Sequence, residues 1–269
     1  SFIATNYQNL SDLSDFFTTA TETIDAIERE CAEPYQLNGN RVLSAIWSDV
    51  FVCPHCASEI VFWAAAVKDW ELKESFCCPQ CRTKVAKAAS KETGADKLER
   101  AYSSNVDAIT GQILKYPKFI LIGEEVKTPG GREYKPSSAS RQEEINTTAL
   151  AHLVGVPNFQ FERGRQTNKL INGSGITHAH QMYTIRALSV YSRLWQADLG
   201  SAKDTALFRF CLSAINNYIS RKQGYFGGGG GVAGTLFTPS VHLERNIFDV
   251  LRRKLRKVCA CSSGKRRTT

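Results

Sequence analysis

Two short stretches, "CPHC" at Cys53–Cys56 and "CPQC" at Cys78–Cys81, set cysteines in pairs at a spacing suited to holding a metal ion. Each C-x-x-C turn aims two thiolates at one point. Two such turns supply four ligands at about 2.3 Å, the closed tetrahedron of a structural zinc site. With no position left for water or substrate, that site braces structure and performs no catalysis. The pairs are separated by 21 residues, slightly more than the usual spacing of roughly 15–20, and short strands are available to fill the gap. Proline follows the first cysteine of each pair and suits a tight knuckle. An apparent zinc affinity of about 10–16 kcal/mol lets the ion organise a sheet too small to fold alone.

Other uses of these cysteines fit less well. A redox C-x-x-C opens a helix after a strand, whereas "CASEIVFW" returns directly to a strand-like run. Structural disulfides conflict with a cytoplasmic chain. Cys77 and His55 are possible substitute ligands, but the symmetric pairing favours Cys53, Cys56, Cys78 and Cys81. Cys31 and Cys211 fall on apolar helix faces as buried thiols, and Cys259-Ala-Cys261 is a bare C-x-C in a basic tail.

Two further motifs invite chemistry and lack its context. "YFGGGGGVAG" satisfies F-x-G-x-G from Phe226 and G-x-G-x-x-G at Gly229, Gly231 and Gly234. A cofactor loop needs a strand before it and a helix after it, and neither flanks this run, which reads as a flexible loop. In "THAH", His178 and His180 at i, i+2 do not share a helix face, and Thr177 reads as an N-cap. No nucleophile–base or paired-carboxylate constellation nominates an active site.

The elements that must position the cysteines follow from periodicity. "SDLSDFFTTATETIDAIERE" spaces Leu13, Phe16, Phe17, Ala20, Ile24 and Ile27 as one face of a helix behind Ser11 or Asp12. "RVLSAIWSDVFV" alternates, with Leu43, Ala45, Trp47 and Phe51 on one face of a strand entering the first knuckle. "EIVFWAAAV" and "WELKESF" read as two more strands, and "RTKVAK" closes a small antiparallel sheet. "KYPKFILIGEEVKTPGGREYKP" is a hairpin turning at Thr128–Gly131. "PSSASRQEE" reads as a loop, and Val154–Gly175 shows no clear period. "THAHQMYTIRALSVYSRLWQADLG" and "DTALFRFCLSAINNYIS" are helices, "GTLFTPS" a short strand, and "VHLERNIFDVLRRKLRKV" a final amphipathic helix.

Charge is unevenly spread. The chain carries a formal +8, yet residues 1–51 hold two basic and eight acidic residues, leaving +14 for the remainder. Beyond Asp249 there is no acidic residue, while Arg252, Arg253, Lys254, Arg256, Lys257, Lys265, Arg266 and Arg267 crowd the end. Clustered cations of this kind suit a polyanion, because they displace counterions condensed on nucleic acid; a solvated helix face is the plainer alternative. No apolar run of membrane-spanning length and no signal peptide appears, which indicates a cytoplasmic chain without a membrane partner. A start at Ser1 suggests a segment of something longer.

Read in order, "SFIATNY", "WSDVFVCPHCASEIVFWAAAV", "CPQC", "GITHAHQMYTIRAL" and "GTLFTPSVHLERNIFDVLRRK" resemble large adenine-specific DNA methyltransferases that contain a zinc ribbon. The most specific parts are Trp47–Val67 and Gly234–Lys254. In that family an S-adenosylmethionine loop lies upstream and a D-P-P-[FY] catalytic motif downstream; neither is in this chain. The resemblance therefore implies an insert between cofactor-binding and catalytic halves of a Rossmann-like core, with no catalytic residue of its own. The ending "CACSSGKRRTT" departs from the family pattern.

The expected architecture is α+β: a small antiparallel zinc-ribbon sheet plus a helical region. Residues 1–40 form an N-terminal amphipathic helix, 41–95 the ribbon, 96–175 a hairpin-containing linker, and 176–269 a helical region with a basic last helix. The expected cofactors are Zn2+ and, on the remainder of the methyltransferase polypeptide, S-adenosylmethionine. The expected partner is DNA, gripped at its phosphates by Arg245, Arg252, Arg253, Arg256 and Lys257 while adenine is extruded for N6 methylation. The rival readings are a stand-alone zinc-ribbon nucleic-acid-binding protein and a structural adaptor.

Overall fold

The computed structural model describes residues 13–88, 94–226 and 237–262. Helix α1 (Ser14–Cys31) buries Phe16, Ala20 and Ile24, as their spacing predicts; the expected caps Ser11 and Asp12 lie outside the described residues. A 3-10 turn at Glu33–Tyr35 leads to β1 (Gln36–Leu37), and Asn38-Gly39, both at positive φ, turn the chain tightly into β2 (Asn40–Val52). β2 is the strand around which the molecule is built. One edge pairs with Phe119–Thr128 (β12), so that Trp47 faces Leu121; the other pairs with Val241–Arg245 (β14), so that Trp47 also faces His242. Past Asp49 the neighbours change: Phe51 pairs with Ile60 on one side and Arg100 on the other. Because both faces are covered, every residue from Ala45 to Phe51 is buried, rather than the single face that alternation suggests.

The cysteine region follows as β3 (Glu59–Val61), α2 (Phe62–Ala66), a β4–β5 hairpin (Val67–Lys68, Glu71–Leu72), β6 (Ser75–Cys77) and β7 (Lys84–Ala86). "EIVFWAAAV" is therefore a three-residue strand that turns into helix, not one long strand, because three consecutive alanines favour helix. β6 and β7 pair antiparallel as expected, and β8 (Asp96–Lys97) adds to β7 in parallel, so the small sheet is mixed. β9 (Glu99–Arg100) returns to β2. A separate hairpin, β10 (Tyr102–Val106) and β11 (Ile113–Pro117), precedes the expected hairpin, β12 (Phe119–Thr128) and β13 (Gly131–Pro136). Gly123 sits at a bulge in β12, where a Cβ would lie 2.3 Å from the Tyr134 hydroxyl.

The second half departs from expectation in five places. "SSASRQEE" is not a loop: Ser138 caps α3 (Ala139–Leu150) by accepting the Arg141 N–H. Its inner face is Arg141, Ile145 and Ala149, so a buried charge conceals the apolar period. The unpatterned region contains α4 (Thr167–Ser174). The "THAH" helix is broken, with a 3-10 turn at Ala179–Met182 and then α5 (Ile185–Gln196) capped by Thr184, not Thr177. "DTALFRFCLSAINNYIS" is not one helix but divides into α6 (Ala202–Ser213) and α7 (Asn216–Ile219), and of the expected "GTLFTPS" strand residues 234–236 lie outside the described residues while Phe237–Ser240 carry no strand. Instead Val241–Arg245 is β14, and the last helix, α8 (Ile247–Ser262), starts where the Asn246 side chain accepts the Phe248 N–H. Backbone pairing to β2 wins over the helical pattern there.

Helices α1, α5, α6 and α8 share one core, including Ile24, Leu194, Phe208 and Leu251. A second core, including Phe51, Ile60, Phe62 and Val85, sits beneath the cysteine knuckles. Buried charge ties sheet to helices. Arg186 bonds Glu244 at 2.8 Å and Glu124 at 2.6 Å, Glu124 also accepts Arg141 at 2.9 Å, and Glu244 accepts the Trp47 indole N–H at 2.8 Å. Burial works against the Arg186 charge, but Glu244 and Glu124 more than offset it and raise its pKa. Deep in the fold, His242 lies parallel to Trp47 with ring centroids 6.3 Å apart. Burial, reinforced by the Arg221 cation, holds its pKa well below the usual value.

Arg186→Met removes the cation that neutralises buried Glu244 and leaves Glu124 to Arg141 alone, and is expected to lower unfolding free energy by about 3–5 kcal/mol in urea titrations; a loss below about 1 kcal/mol would refute the network's role. The His242 shift has a definite sign. The unfolded chain takes up a proton below about pH 6.5 and the folded chain does not, so stability falls as pH drops from there. Melting curves at pH 7.5 and 5.0 should show that fall, and His242→Phe should reduce it.

Candidate metal centre and basic face

The two knuckles are built alike. The first lies between β2 and β3, where Cys53 N–H donates to the Ser58 carbonyl (2.9 Å) and Ala57 N–H to the Cys53 carbonyl (3.0 Å). The second lies between β6 and β7, where Cys78 N–H donates to Thr83 (2.8 Å) and Arg82 N–H to Cys78 (3.0 Å). Ala57 and Arg82 occupy equivalent left-handed positions, φ 56° and 65°. Each proline–x pair thus lets its two sulfurs converge.

All four sulfurs, Cys53, Cys56, Cys78 and Cys81, lie within 4.8 Å of one another and form a cluster able to hold a metal ion. Cys53 and Cys81 Sγ are 3.7 Å apart and Cys56 and Cys78 Sγ 3.8 Å. A regular tetrahedron with metal–sulfur bonds of about 2.3 Å has edges of about 3.8 Å, so these two edges match a zinc site and the donor set is consistent with zinc. Backbone N–H groups of Cys81 and Gln80 bring the Cys78 thiol down to about 6, and the Ser58 hydroxyl and N–H lower Cys56. Burial pushes Cys53 up to about 11, which a bound dication would reverse. The substitute ligands are placed elsewhere: His55 Nε2 pairs with Asp96 at 2.8 Å, and Cys77 is exposed and outside the cluster.

The cations proposed for phosphate binding separate into two groups. Arg245 is half-buried at the end of β14, and Arg252 is held by Asp25 and by Glu28 (2.6 Å) on the acidic face of α1. Arg253, Arg256 and Lys257, at i, i+3 and i+4 of α8, are exposed along one stripe. The glycine run at 227–231 and the G-x-G-x-x-G positions lie outside the described residues.

Two clusters had no signal in sequence order. Trp70 is 60% exposed at the tip of the β4–β5 hairpin, and Trp63, Tyr134 and Tyr225 gather around it with centroids 5.5–6.5 Å apart. Asp107, Tyr116 and His180 meet although 73 positions separate the first from the last. No α-helix among the described residues is long and apolar enough to cross a membrane. No protein-family model, curated protein or solved structure significantly matches this chain.

Metal analysis of the purified chain should give one zinc per molecule, falling to near zero in Cys78→Ser. The same variant should be cut by protease between 53 and 88 under conditions in which the parent survives. Retention of stoichiometric zinc by Cys78→Ser would exclude this ligand set.

Proposed function

We propose that this chain is a non-catalytic, zinc-stapled segment of an adenine-specific DNA methyltransferase, contributing rigidity and DNA contacts to a cytoplasmic enzyme. The observation that carries the structural role is the four-sulfur cage, whose spacing fits an ion fully enclosed by protein ligands. Such an ion offers no open position to a substrate. The methyltransferase reading rests on the likeness of Trp47–Val67 and Gly234–Lys254 to that family. It assigns S-adenosylmethionine and the transfer step to the remainder of the polypeptide.

The division of labour is physically sensible. Methylating adenine N6 requires the base to leave the duplex, and the enzyme must grip the backbone while it does so. The exposed stripe Arg253, Arg256 and Lys257 supports such a grip, and phosphate contacts of this kind position DNA without reading sequence. Arg252, already neutralised by α1, is better suited to holding α8 in place.

Binding to duplex DNA measured against salt tests this. Arg253→Gln and Arg256→Gln together should make the log–log slope shallower by about 0.9 for each phosphate that is no longer neutralised. Arg252→Gln should leave the slope unchanged and lower stability instead. An unaltered slope in the double variant would remove α8 from the DNA interface. Joined to its flanking coding sequence, the chain should support transfer from S-adenosylmethionine to adenine N6; no transfer by the complete polypeptide would overturn the enzyme reading.

A further inference from the structure

The surface around α4 carries cations without matching acids. Between Glu144 and Asp198 the chain holds one acidic residue, Glu162. Arg163, Arg165 and Lys169 follow it within seven positions, and all three are exposed. None of them forms an ion pair with Glu162 or with any other described residue. The two arginines flank Gly164 in a turn that Thr167 closes: its hydroxyl donates to the carbonyls of Glu162 (2.6 Å) and Gly164 (3.2 Å), and Asn168 N–H also donates to Gly164 (2.8 Å). At the other end of α4, exposed Lys115 lies 4.1 Å from the centre of the Tyr102 ring. That ring rests on Gly175, where a Cβ would come within 2.5 Å of it. Cations therefore mark both ends of α4, about 12 Å apart at the usual helical rise.

Beside them stands an aromatic ring that folding leaves uncovered. Phe159 is 56% exposed, yet its position is fixed from behind. Ala179 N–H donates to the Phe159 carbonyl (2.9 Å) and Phe161 N–H to the Thr177 carbonyl (2.8 Å). The Phe161 ring packs on the core of Leu170, Ile176 and Met182 and meets the Phe159 ring edge-on, with centroids 5.8 Å apart. A ring held this way loses little freedom when a partner covers it. Unpaired cations next to a fixed, open aromatic face are the two components that single-stranded nucleic acid requires, one for its phosphates and one for an unpaired base. A duplex offers the phosphates but keeps its base faces stacked.

We propose that this surface binds single-stranded DNA: Phe159 stacks on one unpaired base, and Arg163, Arg165 and Lys169 contact the neighbouring phosphates, with Lys115 extending the track. The choice of DNA over RNA rests on the function proposed above; the strand-binding chemistry does not, and the surface shares no residue with α8.

Fluorescence anisotropy with a labelled thymidine strand of about twelve nucleotides tests this in the full chain carrying Arg253→Gln and Arg256→Gln, so that α8 contributes nothing to the readout. Phe159→Ala should weaken strand binding by about 5- to 150-fold, with duplex binding and melting temperature unchanged, and Phe159→Trp should retain strand binding. Arg163→Gln with Arg165→Gln should make the salt dependence shallower by about 0.7 for each phosphate no longer neutralised. A thymidine strand that fails to bind, an undiminished affinity in Phe159→Ala, an equal loss for strand and duplex, or an unaltered salt slope would each overturn the proposal. Tighter binding of a uridine RNA strand would overturn the choice of DNA. Failure of the α8 grip appears instead in the duplex slope of the otherwise unmodified chain, so the two accounts fail separately.

Discussion

Strand β2 is the constraint on which the rest depends. Thirteen residues long, it spans about 43 Å at the usual rise. It pairs in turn with β1, β12, β14, β3 and β9 before ending beside Cys53. The four-cysteine cluster is therefore no appendage: its first knuckle is the direct continuation of the strand at the middle of the larger sheet. The same strand sets the position of α8, because β14 pairs with it and Asn246 donates to the Val42 carbonyl just before the helix begins.

Burial on both faces makes demands that the sequence meets with paired charge. Asp49, fully buried, accepts Arg100 at 2.7 Å and Arg221 at 3.0 Å, while Ser48 Oγ accepts the Trp63 N–H at 2.8 Å. Removing Asp49 would leave the buried Arg100 and Arg221 charges uncompensated in a low dielectric, so these residues help fix which strands can neighbour β2. Charge also acts between helices. The acidic face of α1 engages Arg252 and Arg41 through Glu28, and Arg193 through Glu30, so part of the contrast between the acidic start and basic remainder is neutralised inside the fold. The exposed stripe Arg253, Arg256 and Lys257 on α8 lies outside these pairs.

Features governed by neighbouring residues were legible in the sequence. The cysteine cluster was, because a C-x-x-C knuckle is closed by its own backbone, and so were α1, β2 and the hairpin at Thr128–Gly131. Features that required distant partners were not. α3 hid behind Arg141, whose buried charge is met by Glu124 on β12 and by the carbonyls of Pro34 and Gln36. β14 hid behind His242 and Glu244, two buried polar residues that erase alternation in a five-residue strand. His180 looked idle in "THAH" because its partners Asp107 and Tyr116 lie on a hairpin distant in sequence.

Hydrogen exchange along β2, with zinc bound and after chelation, tests most directly whether metal centre and sheet stand together. If the ion anchors the strand, chelation will deprotect Val50–Val52, β3 and β9, and the effect will continue into Trp47–Asp49 and their β14 partners. Exchange that rises only between 53 and 88, with the centre of β2 and β14 unchanged, would show that the knuckles form an independent unit and would contradict that coupling.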